Sequence, residues 1–287
     1  MSRIVWIASY PKSGSTWLRV FLTNFGRDGA EPADIDHLDD AEAASSRHLF
    51  ERTLGIASAG LGSEEIAARR PDVYRALARA SDAPLHMKVH DAYTHLPDGR
   101  PLLPPEATRA ALYVVRNPLD VAAAGAPFIA RDLDVVLHIM ADEDFVMSPP
   151  DPDDPSPHVP HRLFSWSGHV RSWTGCGDFP VHVVRYEDMS ARPEEAFTGV
   201  VRFLGLPLDA GRIRRAIEHS RFEVLRAQEL RHGFRERPDA MHGPFFRKGR
   251  VGSWREELSA EQVRRLVGSH RAMMQRFGYL DESGEPR

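Results

Sequence analysis

Cysteine is nearly absent: Cys176 stands alone among 287 residues. That excludes an intrachain disulfide and leaves a cysteine-built zinc site without ligands. Long apolar runs are missing too. The stretch 4–8 is far shorter than the ~20 residues a membrane helix needs, and no signal-peptide pattern follows it. Positive charge is in no excess: 37 Lys and Arg face 41 Asp and Glu, a net charge of -4, so the global balance does not mark a nucleic-acid binder. Internal repeats and an evident interdomain linker are also lacking. The expectation is a cytoplasmic protein with one core, residues 1–287 forming a single domain. Its 42% hydrophobic and 27% charged residues, with a mean hydropathy of -0.39, have the balance of a globular chain rather than a disordered one.

What is present alternates between strand and helix signals. Residues 4–8 form a short continuous apolar run ending in Ser9-Tyr10-Pro11, the pattern of a buried parallel strand opening into a loop. Trp17, Leu18, Val20, Phe21, Leu22 and Phe25 then follow helical spacing up to Gly26, with Thr16 as a starting residue. Further buried strands are expected at 85–90, 111–115 and 181–185, each separated by enough chain for a crossover. Helices are expected at 121–124, 194–204, 210–219 and 260–277. The fold class is therefore α/β, a central parallel sheet flanked by helices. Segments 28–63 and 148–160 break the rhythm, and the prolines of the second remove backbone donors, leaving either a functional lid or a surface insertion.

The loop after the first strand, Ser9-Tyr10-Pro11-Lys12-Ser13-Gly14-Ser15-Thr16-Trp17, carries the chemistry. Backbone N–H groups at a helix N-terminus converge on an anion, glycine allows close approach, and hydroxyls and a lysine add donors. The bland alternative is a serine-rich turn capping a helix. The Walker pattern G-x-x-x-x-G-K-[ST] is not met, because Lys12 precedes Gly14.

This run closely resembles the 5′-phosphosulfate loop of the cytosolic-type sulfotransferases, including their bacterial small-molecule members. Val114-Val115-Arg116-Asn117-Pro118-Leu119-Asp120 resembles that family's 3′-phosphate segment, and Phe245-Phe246-Arg247-Lys248-Gly249-Arg250 its C-terminal loop. Tyr186-Glu187-Asp188-Met189 and Glu218-His219-Ser220-Arg221-Phe222 match smaller landmarks. All occur in the family's order.

The resemblance implies an enzyme that moves a sulfuryl group from 3′-phosphoadenosine 5′-phosphosulfate (PAPS) to a small-molecule hydroxyl, with an amine as second choice and no metal. By that match Lys12 stabilises the departing phosphate oxygen, and Ser13, Gly14, Ser15 and Thr16 hold the 5′-phosphate. Arg116, Arg247, Lys248 and Gly249 recognise the 3′-phosphate. Trp17, Tyr186, Ser220, Phe222 and Phe245 line the adenine pocket. The family serine expected eight positions after Arg116 is Ala124 here. His90 is the general-base candidate and Lys88, two residues earlier on the same strand face, a partner for sulfuryl oxygens; His95 competes for the base role. Acceptor-side loops are expected at 28–63 and 128–164, with an alcohol or phenol as acceptor and no nucleic-acid or membrane partner. The family's C-terminal dimer motif is not recognisable, so oligomeric state stays open. Two other readings are an ATP-dependent phosphotransferase and a phosphoadenosine-nucleotide-binding module without turnover.

Overall fold

Ile4–Ser9 (β1) are buried at every position, the requirement for a strand with neighbours on both edges and helices over its faces. In this computed structural model, which describes residues 3–149 and 156–287, the other elements follow in α/β alternation. They are α1 (Ser15–Arg27), α2 (Arg47–Leu54), α3 (Ser63–Ala80), β2 (Leu85–Val89), β3 (Thr108–Val115), α4 (Pro118–Ile129), α5 (Leu133–Ala141), β4 (Val146–Met147) and β5 (His161–Arg162). The remainder are α6 (Trp166–Thr174), β6 (Val181–Arg185), α7 (Tyr186–Ala191), α8 (Pro193–Phe203), α9 (Ala210–His219), α10 (Phe222–His232) and α11 (Ala260–Arg276). The central sheet has the order β2-β1-β3-β6, and β1 runs parallel to β2 with Ile4 opposite Leu85 and Ala8 opposite Val89. The expected parallel sheet flanked by helices is the architecture found.

The chain divides into two compact units, each assembled from separate segments. One comprises Met1–Tyr10, Asp40–Tyr113 and Asp142–Val183; the other comprises Pro11–Asp39, Val114–Ala141 and Val184–Arg287. In the first, Trp6 is fully buried, its indole N–H donates to Thr108 Oγ1 at 3.0 Å, and its ring meets the edge of Tyr74. In the second, Phe21 of α1 stacks on Phe197 of α8 with centroids 4.1 Å apart. A further apolar cluster there gathers Val20, Ile35, Leu225, Phe234 and Phe246.

Several expectations need correction. Segment 28–63 is not irregular throughout: Ser46 accepts from Leu49 N–H and starts α2, which is anchored by buried Leu49 and Phe50. Segment 128–164 contains α5 and the antiparallel β4–β5 pair as well as loop. The helix expected at 121–124 extends over all of α4, because Asn117 caps it and Pro118 occupies its first position, where no N–H is needed. Within 148–160, the suggested lid residues Asp151, Asp153 and Asp154 lie outside the described residues.

Candidate functional site

The loop joining β1 to α1 is built for close backbone approach. Lys12 has φ 67° and Gly14 φ 103°, both in the left-handed region. Gly14 is the N-cap residue of α1 and offers no side-chain cap. The earliest N–H groups of a helix have no intrahelical acceptor; Trp17 N–H already donates to the Gly14 carbonyl at 3.0 Å, so the donors open to an anion are those ahead of it. A Cβ on Gly14 would fall 2.5 Å from Tyr186 Cδ2, so only glycine passes beneath that ring. Ser13 is 1% exposed, and its buried hydroxyl has no hydrogen-bond partner among the described residues. Ser15 and Thr16 are buried beside it in sequence.

Arg116 follows β3 and locks this loop. Its Nη1 donates to the Lys12 carbonyl at 3.1 Å and its Nη2 to the Arg250 carbonyl at 3.2 Å, while the guanidinium carbon lies 4.1 Å from the Tyr186 ring centroid. Its Nε is buried and has no partner among the described residues. An Arg116–Asp120 salt bridge, the ordinary alternative for this pair, is not what the structure forms. Asp120 instead accepts from Gly252 N–H at 2.8 Å, Ser253 Oγ at 3.0 Å and Trp254 N–H at 3.0 Å, organising the chain after the basic loop.

The Lys12 ammonium sits 3.7 Å from the Phe245 centroid and 4.4 Å from that of Phe128. Two ring faces thus hold the cation by their negative quadrupoles. Phe245, assigned to the adenine pocket by resemblance, is placed against this lysine. Trp17 meets the rings of Tyr186 and Phe197 at centroid separations of 5.7 Å, and its indole N–H is also without a partner. Ser220 is fully buried, with its hydroxyl donating to the Ala216 carbonyl at 2.7 Å. Phe222 packs so closely on Gly249, at φ 61°, that a side chain there would overlap its ring.

Arg247 and Lys248 carry their own counter-charges. Arg247 Nη1 lies 2.8 Å from Glu257, and Lys248 Nζ lies 2.8 Å from Glu257 and 3.0 Å from Glu256. Arg250 pairs with Glu256 as well. These hydrogen bonds hold the Lys248 ammonium above its usual pKa range and both glutamates below theirs. Arg247 also donates to the Ala123 carbonyl at 3.0 Å, next to the Ala124 position where a serine was expected.

His90 directly follows β2. Its Nδ1 lies 2.7 Å from the Ser9 carbonyl, which can only accept, so the proton resides on Nδ1 and Nε2 is the basic nitrogen. Ser9 Oγ is 3.4 Å from the same Nδ1. Burial, reinforced by the Lys88 ammonium, holds His90 well below the ordinary histidine value. Met87 and Val89 are buried, whereas His86, Lys88 and His90 are half-buried, which is the expected alternation. His95 is exposed and lies 3.8 Å from Asp178. Sequence reasoning gave no role to Phe128 or to the Glu256/Glu257 pair, and none to Asp120 beyond its place in the 114–120 segment; the Asp120 partners at 252–254 are remote in the chain.

A model of the family described as "Sulfotransferase domain" matches residues 2–147 and 156–278. Among curated proteins, the dog (Canis lupus familiaris) Sulfotransferase 1A1 is 25% identical over 285 residues, covering 95% of this chain and 83% of the relative. Cytosolic sulfotransferase 5 of Arabidopsis thaliana is 24% identical, covering 91% and 76%. Among solved structures, mouse sulfotransferase SULT7A1 complexed with PAP aligns over 98% of this chain and 87% of its own, with TM-score 0.59 and 17% identity. Retinol dehydratase in complex with androsterone and the inactive cofactor PAP aligns over 95% and 80%, with TM-score 0.59 and 17% identity. At that identity the structural likeness is one of fold.

Proposed function

Because this chain belongs to the sulfotransferase domain family, we propose that it transfers a sulfuryl group from PAPS to the hydroxyl of a small alcohol or phenol. PAPS supplies an activated sulfuryl group together with two phosphates for the protein to grip. The observation that carries this reading is the left-handed Lys12-Ser13-Gly14 turn with its buried, unpartnered Ser13 hydroxyl and Arg116 Nε. Buried polar groups are costly to leave unpaired, and an anionic ligand satisfies them.

In this reading Ser13, Gly14, Ser15 and Thr16 bind the 5′-phosphate through backbone and hydroxyl donors, and Lys12 neutralises the charge that develops on its departing oxygen. Arg116, Arg247 and Lys248 recognise the 3′-phosphate, with Gly249 shaping that loop. Trp17, Tyr186 and Phe222 offer aromatic surface to the adenine, Phe245 bounds the same region, and Ser220 supports it from the C-cap of α9. His90 Nε2 takes the acceptor's proton, and Lys88 steadies the sulfuryl oxygens. A cytoplasmic, single-domain enzyme is the setting that goes with this chemistry.

A transfer assay with radiolabelled PAPS against a library of alcohols, phenols and amines tests the proposal. Labelled product without added metal, foremost among the hydroxyl acceptors, is the expected result. Transfer from ATP with magnesium would favour a phosphotransferase, and nucleotide binding without any transfer would favour a binding module.

A further inference from the structure

We propose that His169, fixed by Tyr113, is a positioning residue for the base: it clamps the backbone of His90 so that the imidazole keeps one orientation. The inference rests on the assignment of His90 as base and adds the device that holds it. β2 ends at Val89, so the carbonyls that follow are beyond the strand and need other donors. Helix α6 supplies two from one face. His169 Nε2 lies 3.0 Å from the His90 carbonyl, and Trp173 Nε1, one helical turn later, donates to the Asp91 carbonyl at 2.9 Å.

The direction of the first bond is set from behind. A carbonyl only accepts, so His169 carries its proton on Nε2, and Nδ1 must accept; the Tyr113 hydroxyl, 2.9 Å away, is the donor. His169 and Tyr113 are both fully buried and stack with centroids 5.6 Å apart, and Tyr10 closes the other contact edge-on at 5.4 Å. Burial holds His169 down at about 4, so it stays neutral and keeps this tautomer at neutral pH. Asp91, the next residue, is gripped by Arg70 through two bonds of 2.7 and 2.6 Å. His90 therefore has its ring anchored at Ser9 and its peptide anchored at α6. Imidazole Nε2 keeps little freedom except to meet an acceptor.

The test compares His169→Leu, which removes the donor, with His169→Gln, whose side-chain amide offers an N–H at similar reach. Transfer is measured under saturating PAPS, beside His90→Ala and the His90→Ala/His169→Leu double variant. His169→Leu should lower kcat by about 10²-fold, the scale of a misplaced catalytic group, with acceptor KM and PAP affinity unchanged. His169→Gln should recover most of that loss, and His169→Leu should cost nothing further in the His90→Ala background. Wild-type turnover in His169→Leu, or a His169→Gln variant as slow as His169→Leu, would overturn the clamp. If His169→Leu does not fold, Tyr113→Phe decides, since it removes only the hydroxyl: a lowered kcat supports the clamp and an unchanged one overturns it. An active His90→Ala variant would instead show that the base assignment has failed, a result separable from an inactive His90→Ala beside an active His169→Leu.

Discussion

Gly14→Ala adds one methyl group at the point where the anion loop is most constrained. Two costs can be read from the structure. The backbone at φ 103° penalises any L side chain by about 1–2 kcal/mol. The new Cβ would also lie 2.5 Å from Tyr186 Cδ2 and 3.0 Å from Cε2, an overlap with a buried ring that costs about 1–3 kcal/mol to relieve. Together they amount to about 2–5 kcal/mol. For 287 residues the unfolding entropy is roughly 0.6 kcal/mol/K, so Tm should fall by about 3–8 °C. Differential scanning calorimetry reads this directly. Repeating the substitution in a Tyr186→Leu background separates the terms, because it removes the ring but not the φ penalty; the Gly14→Ala cost should shrink to about 1–2 kcal/mol there. A Tm within error of wild type, or an equal drop in both backgrounds, would refute the argument that Tyr186 presses on this turn.

Adenosine 3′,5′-bisphosphate should raise Tm more than AMP at equal concentration, since only the former offers a 3′-phosphate to Arg116 and the Arg247 loop; equal thermal shifts across a titration would remove that assignment. Glu257→Gln removes a carboxylate paired with both Arg247 and Lys248 and should tighten bisphosphate binding a few-fold, on the order of one exposed ion pair, with a steeper salt dependence by calorimetry. In single-turnover transfer, His90→Ala should lose about 10²–10⁴-fold while His95→Ala changes little. The acid limb of the wild-type profile should lie below the usual histidine value, because the proposed base acts as neutral imidazole and burial with Lys88 holds the His90 pKa down. Stability follows the same sign. His169 and His270 are held at about 4, so between the unfolded value of ~6.5 and about 4 the unfolded chain takes up protons that the native state refuses. Stability should be full above that window and decline as pH falls through it, as denaturant midpoints measured on either side of pH 6 would show.

The elements legible in the sequence were those whose burial writes a short-range pattern. β1 is apolar almost throughout, β6 coincides with the expected 181–185, and α9 with 210–219. Helix α10 was not legible, because it buries only Leu225 and Glu229 and so carries no apolar stripe. Its Glu229 accepts from Phe245 N–H at 2.6 Å and Phe246 N–H at 2.9 Å, a polar role that no local spacing announces. Helix α3 hides behind an internal Pro71 and its run of Arg and Ala. The candidate site divides along the same line. The anion loop is contiguous, so its residue order displays its chemistry. His169 and Asp120 act on groups far away in sequence, and such residues look like ordinary polar surface until the chain is folded.

Lys12 shows why the loop keeps a conformation that its own residue disfavours. A lysine at φ 67° carries a backbone strain of about 1–2 kcal/mol that glycine would avoid. Glycine, however, has no ammonium. The strain persists because three contacts outweigh it: Arg116 donates to the Lys12 carbonyl, and the rings of Phe245 and Phe128 receive the side-chain cation. Each contact also orients a group that the proposed chemistry uses. The Arg116 bond holds the peptide whose neighbours would face the proposed anion, and the aromatic pair fixes where the ammonium sits. A cation placed before its ligand arrives needs little reorganisation when charge develops on the departing phosphate. On this argument the left-handed turn, the stapling arginine and the two phenylalanines form one preorganised unit, even though they come from four separate stretches of the chain.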